Sequence, residues 1–570
     1  MFVKRCANTR NNKTYESFHI VESYRDDDGV VRHNYLVNLN PLPRPLIMYI
    51  KSLLQQHKDF DQLPEMIREM GSVDLHVGDA LRGAGQVALW RAWEKADMDR
   101  VLKNFSDKQI RSIKAMVFSR ISDPCSKLAL KKEMADTVVA ALYSSNRLDE
   151  DTLYDVMDRV HRHFYDIQDN LRKIHHAEEP RLILYDTTTS YFEGTCAEGG
   201  EYGNSKDHRW DRYQILIGLI TNEEGLPLAV EVWDGNTHDA ATVNDRIEQL
   251  RDRFGFTQVV FVGDKGMYGQ DNVETLEEEE YDYILSLAWN AQKKRLSELA
   301  PEQLELFDEQ GYYEFEEDGT RYVGCHSEAK KQRAKKRRQA AIKKVSEELE
   351  RIAESAQNGV YYTKLRLHEK VQELLKNKGV RDLFCIHVKS LDKKAKPEDK
   401  SKQELSWKID KIALRQREAL EGKYILQTSL DTEESCAEQI EADYRRLQNV
   451  ERGFRHIKSY LKIRPIYHRL QKRIRAHVLI CFLAYFLVKW MEVELREAGN
   501  TQEVERMIRR WDQLKLVNHQ LEAKDHVTED YSWSQGPVGQ DVTEEIKAVG
   551  WWKSIQGYKR SIIKTLLKEE

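Results

Sequence analysis

From Arg181 to Asp264 the chain alternates apolar runs and turns in an order that few folds accommodate. Strands are expected at Leu182–Asp186, Tyr213–Ile220 and Leu226–Val232, with the turn NEEG before the third. A helix from Ala240 to Phe254 and a strand from Val259 to Asp264 complete the run. A meander of three strands followed by a right-handed helical crossover lays the fourth strand beside the first. Asp186 and Asp264 then sit on neighbouring strands.

This β-β-β-α-β order predicts an α/β ribonuclease-H-like core, a mixed sheet with flanking helices. Asp186 follows the apolar run of RLILYDTTT, and Asp264 follows that of QVVFVGDKGMY, between Gly263 and Gly266. Open α/β sheets place their chemistry at the carboxyl ends of buried strands, although a lone aspartate there also caps turns. A third carboxylate comes much later. Tyr444, Leu447, Glu451, Phe454 and Lys458 recur at steps of three and four along a helix that begins at Ile440, so they share one face. Charge in such a stripe is costly unless it is paired or holds a metal, and Arg455, one turn on, offers the pairing alternative. Three carboxylates suit hard cations such as Mg²⁺. Two such ions about 3.5–4 Å apart can clamp both the attacking and the leaving oxygen of a phosphodiester.

The order Asp186, Asp264, Glu451, with GNSKDHRWDRYQILIGLITNEEGLPLAVEVWDGNTHD between the aspartates and YRRLQNVERGFRHIK around the glutamate, resembles a DDE insertion-sequence transposase. It is most similar to the branch with an inserted domain before the glutamate, whose signature spaces Tyr, Arg, Glu and Lys along one helix. Tyr444, Glu451 and Lys458 match that signature; Leu447 stands where the Arg would be, and Arg445 and Arg446 leave the shared face. The resemblance implies a DNA transposase that cuts at element ends and transfers strands, by cut and paste, with a DNA hairpin left open as a route. It further implies two Mg²⁺ ions held by Asp186, Asp264 and Glu451, with Mn²⁺ able to substitute, and a homodimer on double-stranded DNA. Lys458 would hold a phosphate or orient the carboxylate. A ribonuclease-H-like nuclease that never joins strands is one alternative; a captured, non-catalytic DNA-binding protein is another, disfavoured by the intact carboxylate trio.

A chain of 570 residues exceeds one core and predicts about three to four domains. The net charge of −5 does not advertise a nucleic-acid binder, so DNA contact has to come from local basic surfaces. Seven cysteines scattered singly argue for reduced thiols in the cytoplasm, not for a disulfide framework or zinc ribbon. The N-terminal stretch lacks the apolar core of a secretory signal, and Val478–Val488 is too short to span a bilayer, so no membrane partner is expected.

Six regions follow from the pattern. Residues 1–63 hold a β-hairpin around RDDDG, with Gly29 in the turn. Residues 64–180 read as mainly helical, with Val138, Val139 and Leu142 opening a second helical pair and Lys108, Arg111 and Lys114 as candidate DNA contacts beside the packing alternative. Residues 181–289 and 421–495 form the core, and 290–420 an α+β insertion with two charged helical segments and strands near Leu383–Val388 and Leu405–Ile412. There the cation-rich Lys330–Lys344 is either a solvated face or a DNA clamp, and Trp407 is either a core residue or a stacking platform. Residues 496–570 read as amphipathic helix. Within the core, Lys206 and Arg209 of GNSKDHRW are candidate phosphate contacts against a plain hairpin loop, and Asn236, Thr237, His238 and Asp239 are read as no more than a helix start with its N-cap. After the glutamate helix, Arg464, Arg469, Lys472, Arg473 and Arg475, interleaved with Tyr467, His468 and His477, form the basic stretch best placed to reach DNA phosphates.

Overall fold

A computed structural model describes the chain except for residues 11–12, 27, 41–46, 48–49, 52–53, 55–73, 140–147, 176–178, 195, 245–246, 248–252, 300–302, 304–310, 359–362, 393, 395, 397–399, 524–525, 535 and 567–570. Strands β1 (Phe2–Arg10), β2 (Lys13–Arg25) and β3 (Val31–Asn38) form an antiparallel sheet in that order. The turn between β2 and β3 is the expected hairpin: Asp26 accepts from the Val30 N–H at 2.9 Å, and Gly29 takes φ 74°, a left-handed conformation that costs glycine nothing.

The next region begins with a strand where helix was expected. β4 (Asp74–Arg82) is followed by α1 (Ala84–Lys95), α2 (Met98–Val101), α3 (Asp107–Ser122), α4 (Lys127–Met134), α5 (Glu150–Arg162) and α6 (Phe164–His175). Local signals fix these helices: Ser126 and Asp149 accept hydrogen bonds from Ala129 and Thr152 and so cap α4 and α5. Pro64 and Leu142 lie outside the described residues.

The core sheet follows. β5 (Leu182–Tyr191), β6 (Gln214–Thr221), β7 (Pro227–Asp234), β8 (Val260–Gly263), α7 (Gln270–Glu278), β9 (Asp282–Ser286) and α8 (Trp289–Glu298) appear in the expected order. β5 is longer than its apolar run and places Asp186 in mid-strand, because the following TTTS is buried against β6. Of the crossover helix expected to reach Phe254, residues 241–244 are helical and most of the remainder lies outside the described residues. The sheet then gains β10 (Tyr312–Glu317) and β11 (Thr320–His326), inside the stretch read as an interruption of the core.

What departs from the sheet begins at α9 (Glu328–Asn358) and runs through α10 (Lys364–Asn377), the ribbon of β12 (Phe384–Ser390) and β13 (Gln403–Ile409), and α11 (Lys411–Leu420). This unit has its own core, in which Val345, Leu349, Leu367 and Val371 are buried and Trp407 packs partly against them. Ile412 therefore starts a helix, not the end of a strand. β14 (Lys423–Thr428) returns to the sheet between β11 and β9, giving eight strands in the order β10-β11-β14-β9-β8-β5-β6-β7. β5, β8 and β9 run parallel; the other pairs are antiparallel.

The expected continuous helix from Ile440 is two helices. α12 (Ala437–Arg445) breaks at Arg446, and α13 (Leu447–Ser459) carries the glutamate. The Arg181 guanidinium, at the start of β5, donates two 2.7 Å hydrogen bonds to Asp443 and ties α12 to the sheet. α14 (Gln471–Glu497) is apolar all round in its middle, where residues from Val478 to Val488 are buried. Each large apolar side chain placed there contributes roughly 1.5–3 kcal/mol. The C-terminal region is not all helix: after α15 (Val504–Trp511), β15 (Lys515–Ala523) pairs with β16 (His526–Trp533) and with β4, before α16 (Pro537–Ala548) and α17 (Trp552–Leu566).

Candidate active site

Tyr185 of β5 pairs with Gly263 of β8 in parallel register. The next residue on each strand is an aspartate, so Asp186 and Asp264 emerge side by side. The Thr187 N–H donates to Asp186 Oδ1 at 2.7 Å, and the Gly266 N–H to Asp264 Oδ1 at 2.8 Å. α13 packs on β5 through buried Val450, Phe454 and Ile457, leaving Glu451 exposed above the strand. Gly453 lets α13 lie close against α14: a Cβ there would be 2.5 Å from the hydroxyl of buried Tyr485.

All three carboxylates line one cleft of about 410 Å³, together with Thr187, Thr188, Lys206, Arg455, Lys458 and Arg464. Among the described residues no ion pair joins Glu451 to Arg455. Burial pushes the Asp186 carboxyl up to about 7; Lys206 opposes the shift, while Asp264 and Glu451 add to it. The trio therefore lacks positive charge that a divalent cation would supply, and an all-oxygen donor set fits such an ion. Among the described residues no three His, Cys, Asp or Glu groups stand close enough together to hold a metal ion as they are placed.

Asp239, read from the sequence as no more than a cap, stands in this site. It accepts from Thr187 Oγ1 at 2.8 Å and pairs with Lys206 at 3.0 Å, and a Cβ on Gly266 would lie 3.2 Å from its Oδ2 and 3.1 Å from Asp264 Oδ1. Lys206 also donates to the carbonyl and the hydroxyl of Thr187 at 2.9 and 2.7 Å. GNTHD therefore serves the cleft through tertiary contacts; the only sequence signal was a carboxylate on the crossover between the two aspartate strands.

The other candidate residues divide. Tyr444 is held by the Ser286 hydroxyl, with its phenol pushed up to about 12 by burial. It lines a second cleft of about 1540 Å³ that runs from Asp264 and Glu451 past Lys265, Lys293, Lys330, Arg337 and Trp289. Trp289 was missed in the sequence; it is 55% exposed there. Within the basic helix, Lys330 lies over the Tyr424 ring at 3.4 Å, and buried Arg338 pairs with Glu418 and Glu421. Lys458 and Arg464 both bind Asp207, and burial pulls the Lys458 ammonium below its usual pKa range. Arg209 pairs with Asp211 and lies over Tyr191, and Arg469 is exposed.

Three other candidate DNA contacts have partners within the fold. Lys472 and Arg473 share one carboxylate, Asp158 of α5, at 2.5 and 3.1 Å. Lys114 is buried between Trp90 and Trp93, 4.1 and 5.2 Å from the ring centres, and is a packing cation. Leu447, at the signature arginine position, is buried in the main core.

The family model described as the transposase DDE domain matches residues 177–487, from just before β5 into α14. The chain belongs to the DDE transposases. Its N-terminal residues 3–65 match the N-terminal domain of IS1634 family transposases. No curated protein matches the transposase. Membership makes this a ribonuclease-H-like fold and brings with it DNA cleavage and strand transfer dependent on divalent metal ions. Among the described residues of the transposase no helix is long and apolar enough to cross a membrane.

Proposed function

We propose that this transposase excises its element by cut and paste, with Asp186, Asp264 and Glu451 as the catalytic carboxylates and holders of two Mg²⁺ ions, replaceable by Mn²⁺. The observation that carries the reading is the meeting of these three side chains, from two sheet strands and a distant helix, in one cleft. Bound divalent cations supply the charge that activates the attacking oxygen and stabilises the leaving one. The protein supplies the rest. Asp186 and Asp264 are oriented by backbone N–H groups, while Asp239 and Thr187 fix Lys206 beside Asp186. Lys206, Arg455, Lys458 and Arg464 offer donors for the phosphate oxygens of double-stranded DNA at the element end and the target. Arg469, Arg209 and Tyr444 flank the path of the strand.

The unit from α9 to α11 is the inserted domain of this branch, and the larger basic cleft beneath it carries DNA in a complex containing two copies of the chain. Excision from a plasmid holding the gene's own flanking DNA, with Mg²⁺, tests the reading. Wild type should release the segment with free 3′-OH ends and join it to a target, whereas Glu451→Gln and Asp186→Asn should bind DNA without cutting. Cutting by either variant refutes the assignment, and cutting without joining makes the protein a nuclease.

A further inference from the structure

The loop at 203–210 sends two successive charges in opposite directions. Lys206 turns to β5 and Asp239, whereas Asp207 turns to the end of α13. Asp207 Oδ1 accepts from Lys458 Nζ at 2.6 Å and also forms an ion pair with Arg464. Its side chain is 5% exposed, beneath Lys458 at 10% and Arg464 at 28%. Asp207 Oδ2 is buried without a hydrogen-bond partner, so one carboxylate serves two cations through a single oxygen.

This geometry separates a foundation from a plug. An acid that merely fills a phosphate seat until DNA arrives would lie outermost, able to leave. Asp207 lies underneath its cations and cannot withdraw unless the loop moves. Two cations on one carboxylate also leave a positive charge uncompensated at that corner, and the Arg464 guanidinium keeps further N–H donors for an outside acceptor. Resting on the reading that the cleft seats the scissile phosphodiester, we propose that Asp207 is a positioning residue which holds Lys458 and Arg464 together as a phosphate clamp beside Asp186, Asp264 and Glu451. Without it, two long side chains lose the common anchor that fixes their separation.

The test uses the full chain and a duplex carrying the gene's own end sequence. Single-turnover cleavage at saturating DNA is measured with Mg²⁺, and affinity with Ca²⁺ in its place. Supporting side chains of this kind typically contribute about 10–100-fold to activity. Asp207→Asn should lower the cleavage rate by that factor and change affinity by less than about threefold, a split that a general loss of structure would not give. In a Lys458→Met background the same substitution should cost less than about threefold, because the pair whose separation Asp207 fixes no longer exists. A variant that binds more tightly and cuts as fast as wild type identifies Asp207 as a plug and overturns the proposal, as does a full additional loss in the Lys458→Met background. If Asp207→Asn alone does not fold, Lys458→Met and the double variant, which removes both buried charges, still decide: equal rates support the clamp and a further drop overturns it. Cutting by Asp186→Asn would instead refute the underlying reading of the cleft.

Discussion

Lys127 is the first residue of α4, the end of a helix that disfavours a cation, and it is 5% exposed. Around it stand Arg120 of α3, His468, His477 and the thiols of Cys125 and Cys481, and among the described residues no carboxylate pairs with it. Burial first, and Arg120 second, push the Lys127 ammonium from 10.5 down to about 7. At 1.36 kcal/mol per pKa unit, the folded state is penalised by at most ~5 kcal/mol wherever the group is charged in both states. Relaxation and water entry reduce such costs, and a gain of ~2–3 kcal/mol is expected for Lys127→Met, which keeps the volume without the charge. The sign follows from proton counting. The unfolded chain keeps the proton up to about 10.5 and the folded chain releases it near 7, so the unfolded state binds more protons in that window and wild-type stability rises with pH across it. The advantage of Lys127→Met is therefore largest at pH 7 and below and fades towards pH 10.5. In the folded chain His468, held down to about 3, and His477, held well below its usual range, are already neutral there. Urea unfolding of both proteins, followed by tryptophan fluorescence across this window, measures the difference directly. A variant no more stable than wild type near pH 7, or an advantage that does not shrink as pH rises, refutes the reasoning.

Two further outcomes follow from the site. Gly453→Ala adds a Cβ 2.5 Å from the Tyr485 hydroxyl, which should cost about 1–3 kcal/mol by overpacking. Because α13 must shift, cleavage should fall by about a hundredfold; thermal melts and single-turnover cleavage on the same preparation check both, and unchanged cutting would show that Glu451 tolerates the movement. Arg469→Ala should lower the salt slope of DNA binding by about one, and an unchanged slope would place Arg469 away from DNA.

The aspartate strands were legible because a strand's period and a parallel register are local properties: two apolar runs, each ending in Asp, become neighbours once the crossover is read. Glu451 was legible as a charge in a helical stripe, although the break at Arg446 was not, since both halves keep the same spacing. Asp239 was hidden by its own plausibility as a cap; its contact with Lys206 exists only after β5 and the crossover meet. Lys108, Arg111 and Lys114 share one face by spacing, yet Trp90 and Trp93 from α1 cover only the third. Alternation in KLVNHQLEA was present at β15, whose one partner β16 follows directly, but its other partner β4 lies at the far end of the sequence, and pairing across such a distance leaves no trace in spacing.

The position of β14 in the sheet imposes an order on synthesis. β9 needs β14 as a neighbour, yet everything from α8 to α11 must leave the ribosome first, a delay on the order of ten seconds at about 5–20 residues per second. During that time β9 is an open sheet edge, the kind of surface that seeds association between nascent chains. The same delay parts the aspartates from the glutamate: a chain stalled in α9 could assemble β5 and β8 but would still lack Glu451. On the proposed assignment, a copy that ends before α13 lacks one of the three carboxylates and has no means of cutting the DNA that encodes it.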